Sequence, residues 1–277
     1  MTFTDKLRAA QERARSWVCI GLDVDPAKFP GQWRGRPGAM ADFNQAIIEA
    51  THDIVSAYKP NLAFYLAHGR AGLDALAATL ASIPREIPVI LDAKFGDIES
   101  SAIGYAQFAF EDLGVDAVTA NPYLGRDALT PFLQYEGKAV FVLAHTSNPG
   151  SSEFQEAVVG ATTPETIPEP LFIRVAQSAN QLAGLAQVGL VVGATFPEQL
   201  KDVRSVNPSA VFLIPGIGAQ GGSLKEAAEY GRNAAGVGPL INASRSILYA
   251  SGEDDFAQAA REAAVHLNDQ INKLAGR

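Results

Sequence analysis

The sequence predicts a single-domain α/β protein, a (β/α)8 barrel, and three observations carry that reading. Eight short runs rich in Val, Ile and Leu recur along the 277 residues, Ala- and Leu-rich stretches of helical spacing separate most of them, and no Ser/Gly-rich linker or composition shift divides the chain. Strands alternating with helices over roughly 250 residues form a parallel sheet covered on both sides, so its strands are apolar on both faces. An open doubly wound sheet is the alternative. It usually has fewer strands, and GLDVDP rather than GxGxxG follows the first run.

Taken in order, the N-terminal MTFTDKLRAAQERARSW is charged, Ala-rich and without an apolar h-region, which predicts a helix over 4–16 rather than a secretory signal. Strands are expected at WVCIGLD (17–23), SAYKPN (56–61), PVILDAK (88–94), VDAVTAN (115–121), KAVFVLAH (138–145), VGLVVGA (188–194), SAVFLIPG (209–216) and AAGVGPLI (234–241). Apolar spacing places helices over 40–55, 72–83, 103–114, 170–184, 197–206 and 254–274. Residues 146–170 form one connection rich in Gly, Ser, Thr and Pro, longer than the ~12–15 residues of ordinary loops. Because it leaves the C-terminal end of its strand, where barrel active sites lie, a lid is expected rather than a floppy insertion.

Composition narrows the function classes. With 47% hydrophobic and 19% charged residues the chain can bury a full core, which excludes wholesale disorder. A net charge of −8 argues against nucleic acid or an anionic membrane as the main partner, while a local basic pocket can still hold an anionic small molecule. The single Cys19 excludes an intrachain disulfide framework and a multi-cysteine zinc site, and is read as a small core residue. No uncharged apolar run approaches the ~18 residues of a membrane span. A cytoplasmic protein is expected.

Barrel interiors are filled by branched apolar side chains, so ionisable residues at strand C-termini require a reason. Here Asp23 ends the first strand, Lys59 the second, Asp92 and Lys94 the third, with Asp97 just beyond; His145 ends the fifth and is the one histidine placed at the rim. Alternation along LDAKFGDI (91–98) points Asp92 and Lys94 the same way. A neighbouring carboxylate favours the ammonium form of lysine, which suits a proton donor and disfavours a Schiff-base amine. PGIGAQGG (215–222) follows the seventh strand and INASRSI (241–247) the eighth. Glycine turns expose N–H groups, Arg245 adds a bidentate donor, and phosphate sites in barrels often lie after strands seven and eight. Ser147 and Asn148 open the expected lid and could hydrogen-bond a heterocycle. No HExxH or similar spacing suggests a metal.

Together these residues resemble the orotidine 5′-phosphate decarboxylases, in the longer subgroup sometimes called type 2. The signature DxKxxDI is met by Asp92, Lys94, Asp97 and Ile98, and GLDVDP (21–26), YKPN (58–61), TSNPG (146–150), PGIGAQGG (215–222) and SRSI (244–247) follow in the family's order. The resemblance implies decarboxylation of orotidine 5′-monophosphate to uridine 5′-monophosphate and CO2, a step of UMP biosynthesis, without a cofactor. It implies a Lys59–Asp92–Lys94–Asp97 network in which Lys94 protonates C6, and a homodimer whose Asp97 reaches into the partner's site. Asp23 and Ser101 would meet ribose hydroxyls, Ser147 the pyrimidine, and Gln220 and Arg245 the phosphate. Two alternatives are a Mg-dependent keto-sugar-phosphate enzyme of the same superfamily and a non-catalytic nucleotide-phosphate-binding barrel. The first wants an extra carboxylate at the end of the second strand, where Lys59 stands.

Overall fold

The apolar runs form eight parallel strands in the computed structural model, which describes residues 1–36, 38–160, 167–182, 184–218 and 221–277. They are β1 (Val18–Gly21), β2 (Ala57–Lys59), β3 (Ile90–Phe95), β4 (Ala117–Ala120), β5 (Ala139–His145), β6 (Gln187–Val192), β7 (Phe212–Ile214) and β8 (Leu240–Ala243). Their order is β2-β1-β8-β7-β6-β5-β4-β3, and single-residue bridges Tyr58–Val89 and Asn61–Asp92 bring the two ends of the sheet together into a barrel.

Successive strand residues serve two cores, as a sheet covered on both faces requires. Cys19, Ala57, Ile90, Ala117, Phe141, Val191, Leu213 and Leu240 pack inside the ring. Val18, Tyr58, Leu91, Val118, Val142, Leu190, Phe212 and Ile241 pack outward under the helices. The N-terminal helix (Phe3–Ala14) is started by a Thr2–Asp5 capping box and closes the bottom of the barrel. Its Phe3 and Leu7 join the inner cluster, and the Phe3 ring meets Phe141 edge-on at 5.5 Å. Cys19 lies fully buried in this interior, where burial pushes its thiol up to about 12.

Three expectations shift. The eighth strand begins at Leu240 rather than 234, because the preceding stretch is a turn. There Gly236 takes φ 78°, the Asn233 side chain ties Ser209 and Val237, and Gln11 binds both backbone groups of Gly238 at 3.0 Å. Helices at Leu62–Leu66, Arg126–Leu133 and Leu224–Gly231 were not expected; each is too short to repeat an apolar stripe, and the second contains Pro131. The segment 146–170 is folded at both ends: a 3₁₀ turn (Pro149–Ser151), a helical turn (Ser152–Gln155) and a two-stranded ribbon pairing Val158–Val159 with Glu169–Pro170. No helix among the described residues is long and apolar enough to cross a membrane.

Candidate active site

The ends of β2 and β3, and the residues just after β1, bring their charges to one point at the C-terminal mouth. Lys59 Nζ donates to Asp92 Oδ2 at 2.9 Å and lies 3.9 Å from Asp23 Oδ1. Lys94 Nζ donates to the other oxygen, Asp92 Oδ1, at 2.6 Å. Lys59 is only 3% exposed, whereas the Lys94 side chain is 47% exposed and lines a cavity of about 460 Å3. Burial alone would raise the Asp92 carboxyl, but the Lys59 and Lys94 ammonium groups hold it well below the usual carboxylate range. Burial alone would lower the Lys59 ammonium, but Asp23 and Asp92 hold it above the usual lysine range.

The convergence of Asp92 and Lys94 does not arise from regular alternation. The β3–β4 register slips between Leu91 and Phe95, and Lys94 adopts φ 50°, a left-handed conformation costly for a side-chain-bearing residue. Thr119 of β4 supports the irregularity: its hydroxyl donates to Asp92 Oδ1 at 2.9 Å and accepts from the Lys94 backbone N–H at 2.9 Å. Thr119→Val should therefore lower kcat about tenfold by loosening both groups, with a stability loss of about 1–2 kcal/mol. Steady-state kinetics and denaturant unfolding on the same preparation check both numbers; unchanged kcat would remove Thr119 from the site's support.

Across the cavity lies the basic side. Gly216 (φ 101°) and Gly218 (φ 83°) turn the chain after β7, and Gly222 N–H returns to the Gly216 carbonyl at 3.0 Å. Arg245, Ser244 and Ser246 line the same cavity. A Cβ on Gly21 would collide with Ser244 Oγ, so glycine at the end of β1 lets the β8 terminus approach. The helix after β8 is a single turn, Arg245–Leu248, and Arg245 is exposed at its start. Gln220 falls outside the described residues.

Ser147 lines the cavity with Thr146, Asn148 and Gln155, so the start of the 146–170 segment does border the site. Asp97 and Ser101 are not brought to it within this chain. Asp97 Oδ1 accepts the Ile98 N–H at 2.8 Å, Ser101 is exposed on the helix Glu99–Gln107, and neither lines the cavity. His145 is a correction. It ends β5, but a register shift between Leu143 and His145 leaves Leu143 lining the cavity and places the imidazole, 0% exposed, against Phe172 and Phe196. Sequence reading also missed Thr119, Asn61 and Asn242. The signal was present for Thr119 and Asn242, each a polar side chain near the C-terminal end of an otherwise apolar strand, while Asn61 lies just past β2 as the cap of the next helix. The buried Oδ1 atoms of Asn242 and Asp23 find no hydrogen-bond donor among the described residues.

A closed parallel barrel with a lysine–aspartate–lysine chain at its mouth, sharing one cavity with an arginine and a glycine turn, defines a barrel enzyme equipped for proton and charge chemistry on an anionic small molecule. Comparison with known proteins agrees. The sequence profile of the orotidine 5′-phosphate decarboxylase / HUMPS family matches residues 16–263, and the chain belongs to that family. Orotidine 5′-phosphate decarboxylase of Thermomicrobium roseum is 49% identical, covering 99% of this chain and 96% of the relative; that of Herpetosiphon aurantiacus is 48% identical, covering 95% of each. The structure of Leishmania donovani OMP decarboxylase superposes with a TM-score of 0.84 at 40% identity over 100% of both chains. That organism's UMP synthase matches with a TM-score of 0.86 at 41% identity; there the match covers 99% of this chain and 57% of the other.

Proposed function

We propose that this barrel decarboxylates orotidine 5′-monophosphate to uridine 5′-monophosphate, with Lys94 as the proton donor. The observation that carries the reading is the Lys94 ammonium held 2.6 Å from the Asp92 carboxylate inside a cavity of nucleotide size. Loss of CO2 from C6 of orotate leaves an electron pair that the pyrimidine ring cannot delocalise well. A fixed ammonium beside that carbon stabilises the developing charge and then delivers the proton that becomes the C6–H of the product. Asp92 faces the substrate carboxylate, so repulsion between them is relieved as CO2 departs. Lys59 neutralises the opposite side of Asp92 and bridges toward Asp23, a place a divalent cation would otherwise take.

The acceptor atoms of Asp23 and Asn242 suit ribose hydroxyls, which would give these buried oxygens their donors. Ser147 borders the pyrimidine end. Arg245 and the glycine turn after β7 hold the phosphate, together with Gln220 as the family resemblance implies, and this remote binding energy draws the 148–154 turn over the substrate. A homodimer completes the site. Asp97 and Ser101 lie in sequence among the exposed apolar residues Ile98, Ile103 and Tyr105, which a second copy of the chain would cover.

Arg245→Ala tests the phosphate assignment. Its side chain is exposed, so folding should change by less than about 0.5 kcal/mol, while loss of a charge-assisted bidentate contact should raise KM about 10²-fold. An unaltered KM would place the phosphate elsewhere. The experiment for the reaction itself is turnover of orotidine 5′-monophosphate by the purified chain.

A further inference from the structure

Outside the charge network, a polar cluster unused by the proposed chemistry sits where the 146–170 segment leaves β5. Two consecutive residues there bond two consecutive residues at the end of the helical turn. Gln155 Oε1 accepts the Thr146 N–H at 2.8 Å, and its Nε2 donates to Thr146 Oγ1 at 2.8 Å. One residue along on each side, His145 Nε2 donates to Glu156 Oε1 at 3.1 Å. The pairs 146–155 and 145–156 thus close the neck of a loop whose interior is 147–154. Glu156 Oε1 also accepts Gln199 Nε2 at 3.0 Å, tying the neck to the helix Pro197–Val206.

We propose that His145 and Glu156 are positioning residues: their hydrogen bond closes this neck and sets Ser147 and Gln155 at the cavity before substrate arrives. The imidazole is built to be a neutral donor. It is fully buried between Phe172 and Phe196, at ring-centroid distances of 5.1 and 4.6 Å, and its Nδ1 has no hydrogen-bond partner among the described residues. A protonated ring would bury a second N–H and a positive charge between two phenylalanine rings, so the neutral Nε2–H tautomer is the form the pocket favours. Burial correspondingly draws the His145 pKa below its ordinary value, against the opposing pulls of Glu156 and the Thr146 backbone. The register shift at the end of β5, which takes this side chain out of the barrel, is what allows it to reach Glu156.

The kinetic consequence follows from population. Both Ser147 and Gln155 border the cavity, so an open neck leaves a smaller fraction of molecules able to bind, while the closed, substrate-bound form reacts as before. Removing the donor should therefore act on KM and spare kcat. The kinetic arm rests on the decarboxylase reading; hydrogen–deuterium exchange on the ligand-free protein does not, and the two can fail separately.

The test compares His145→Phe, which keeps the aromatic packing and removes the donor, with His145→Gln, which restores one near the Nε2 position. Glu156→Ala and Glu156→Gln form the matching pair on a partly exposed side chain, and they decide the matter if His145→Phe does not fold. Expected are a KM rise of about tenfold with kcat within about threefold for His145→Phe and Glu156→Ala, and near-parental values for both Gln variants. The double variant His145→Phe/Glu156→Ala should be no worse than either single one, as partners in one bond require. Amides of 147–155 should exchange faster in the two impaired variants. Unchanged exchange and KM, or equal losses in the Gln variants, would overturn the proposal. Faster exchange in the two impaired variants, alongside a parental protein that shows no turnover, would instead overturn the reaction and keep the neck.

Discussion

Replacing Lys94 by alanine should abolish nearly all turnover of orotidine 5′-monophosphate, lowering kcat by at least about 10⁴-fold, while product nucleotide still binds. A preorganised charge beside the reacting atom is worth roughly 10²–10³ and a positioned general acid roughly 10²–10⁴, and one ammonium supplies both in the proposed site. The half-exposed side chain contributes little packing, and Asp92 keeps its bond to Lys59 at 2.9 Å, so the fold should survive. Calorimetric titration with uridine 5′-monophosphate alongside the kinetic assay separates the two effects. Binding retained with turnover lost is the expected pattern. Turnover within tenfold of the parent would remove Lys94 from the chemistry.

Lys59→Met should give the largest loss of stability. Lys59 is 3% exposed and stands between two carboxylates, and removing one partner of a buried ionic cluster typically costs about 3–5 kcal/mol. Tm should fall by roughly 10 °C for a chain of this size. The pH dependence carries the signature. Asp92 is depressed in the fold, so its contribution is present above the unfolded carboxylate value of about 4 and is lost as pH falls through the folded value. Lys59 is raised, so its contribution is present below the unfolded lysine value of about 10.4 and is lost as pH rises through the folded value. The deficit of Lys59→Met should thus be widest at neutral pH and narrow below about pH 4. Denaturant unfolding at two pH values measures it, and a deficit independent of pH would point to packing rather than charge.

Much of this arrangement was legible because burial on both faces leaves a strong trace. The eight apolar runs locate all eight strands, and charged residues at their C-terminal ends are conspicuous against that background. Backbone irregularity leaves no such trace. Register shifts occur near the ends of both β3 and β5, with opposite consequences: Asp92 and Lys94 still converge, while His145 leaves the rim. The expectation from alternation reached the right pair in β3 for an incomplete reason, since Thr119 and a left-handed Lys94 hold the geometry. In β5 the expectation that a strand-ending His145 stands at the rim failed. Asp97 and Ser101 are a different case: neither lines the cavity within this chain, and the role proposed for them needs a second copy, which a single chain's fold does not display. The eighth strand was displaced by a Gly-rich turn whose apolar composition imitates a strand.

The most direct measurement is the absorbance change of orotidine 5′-monophosphate mixed with the purified parental chain in excess EDTA, with Lys94→Ala run in parallel. Stoichiometric conversion to uridine 5′-monophosphate by the parent and none by the variant is the expected result. No conversion by the parent, conversion that EDTA stops, or conversion that persists without Lys94 would contradict a lysine-driven, metal-free decarboxylation.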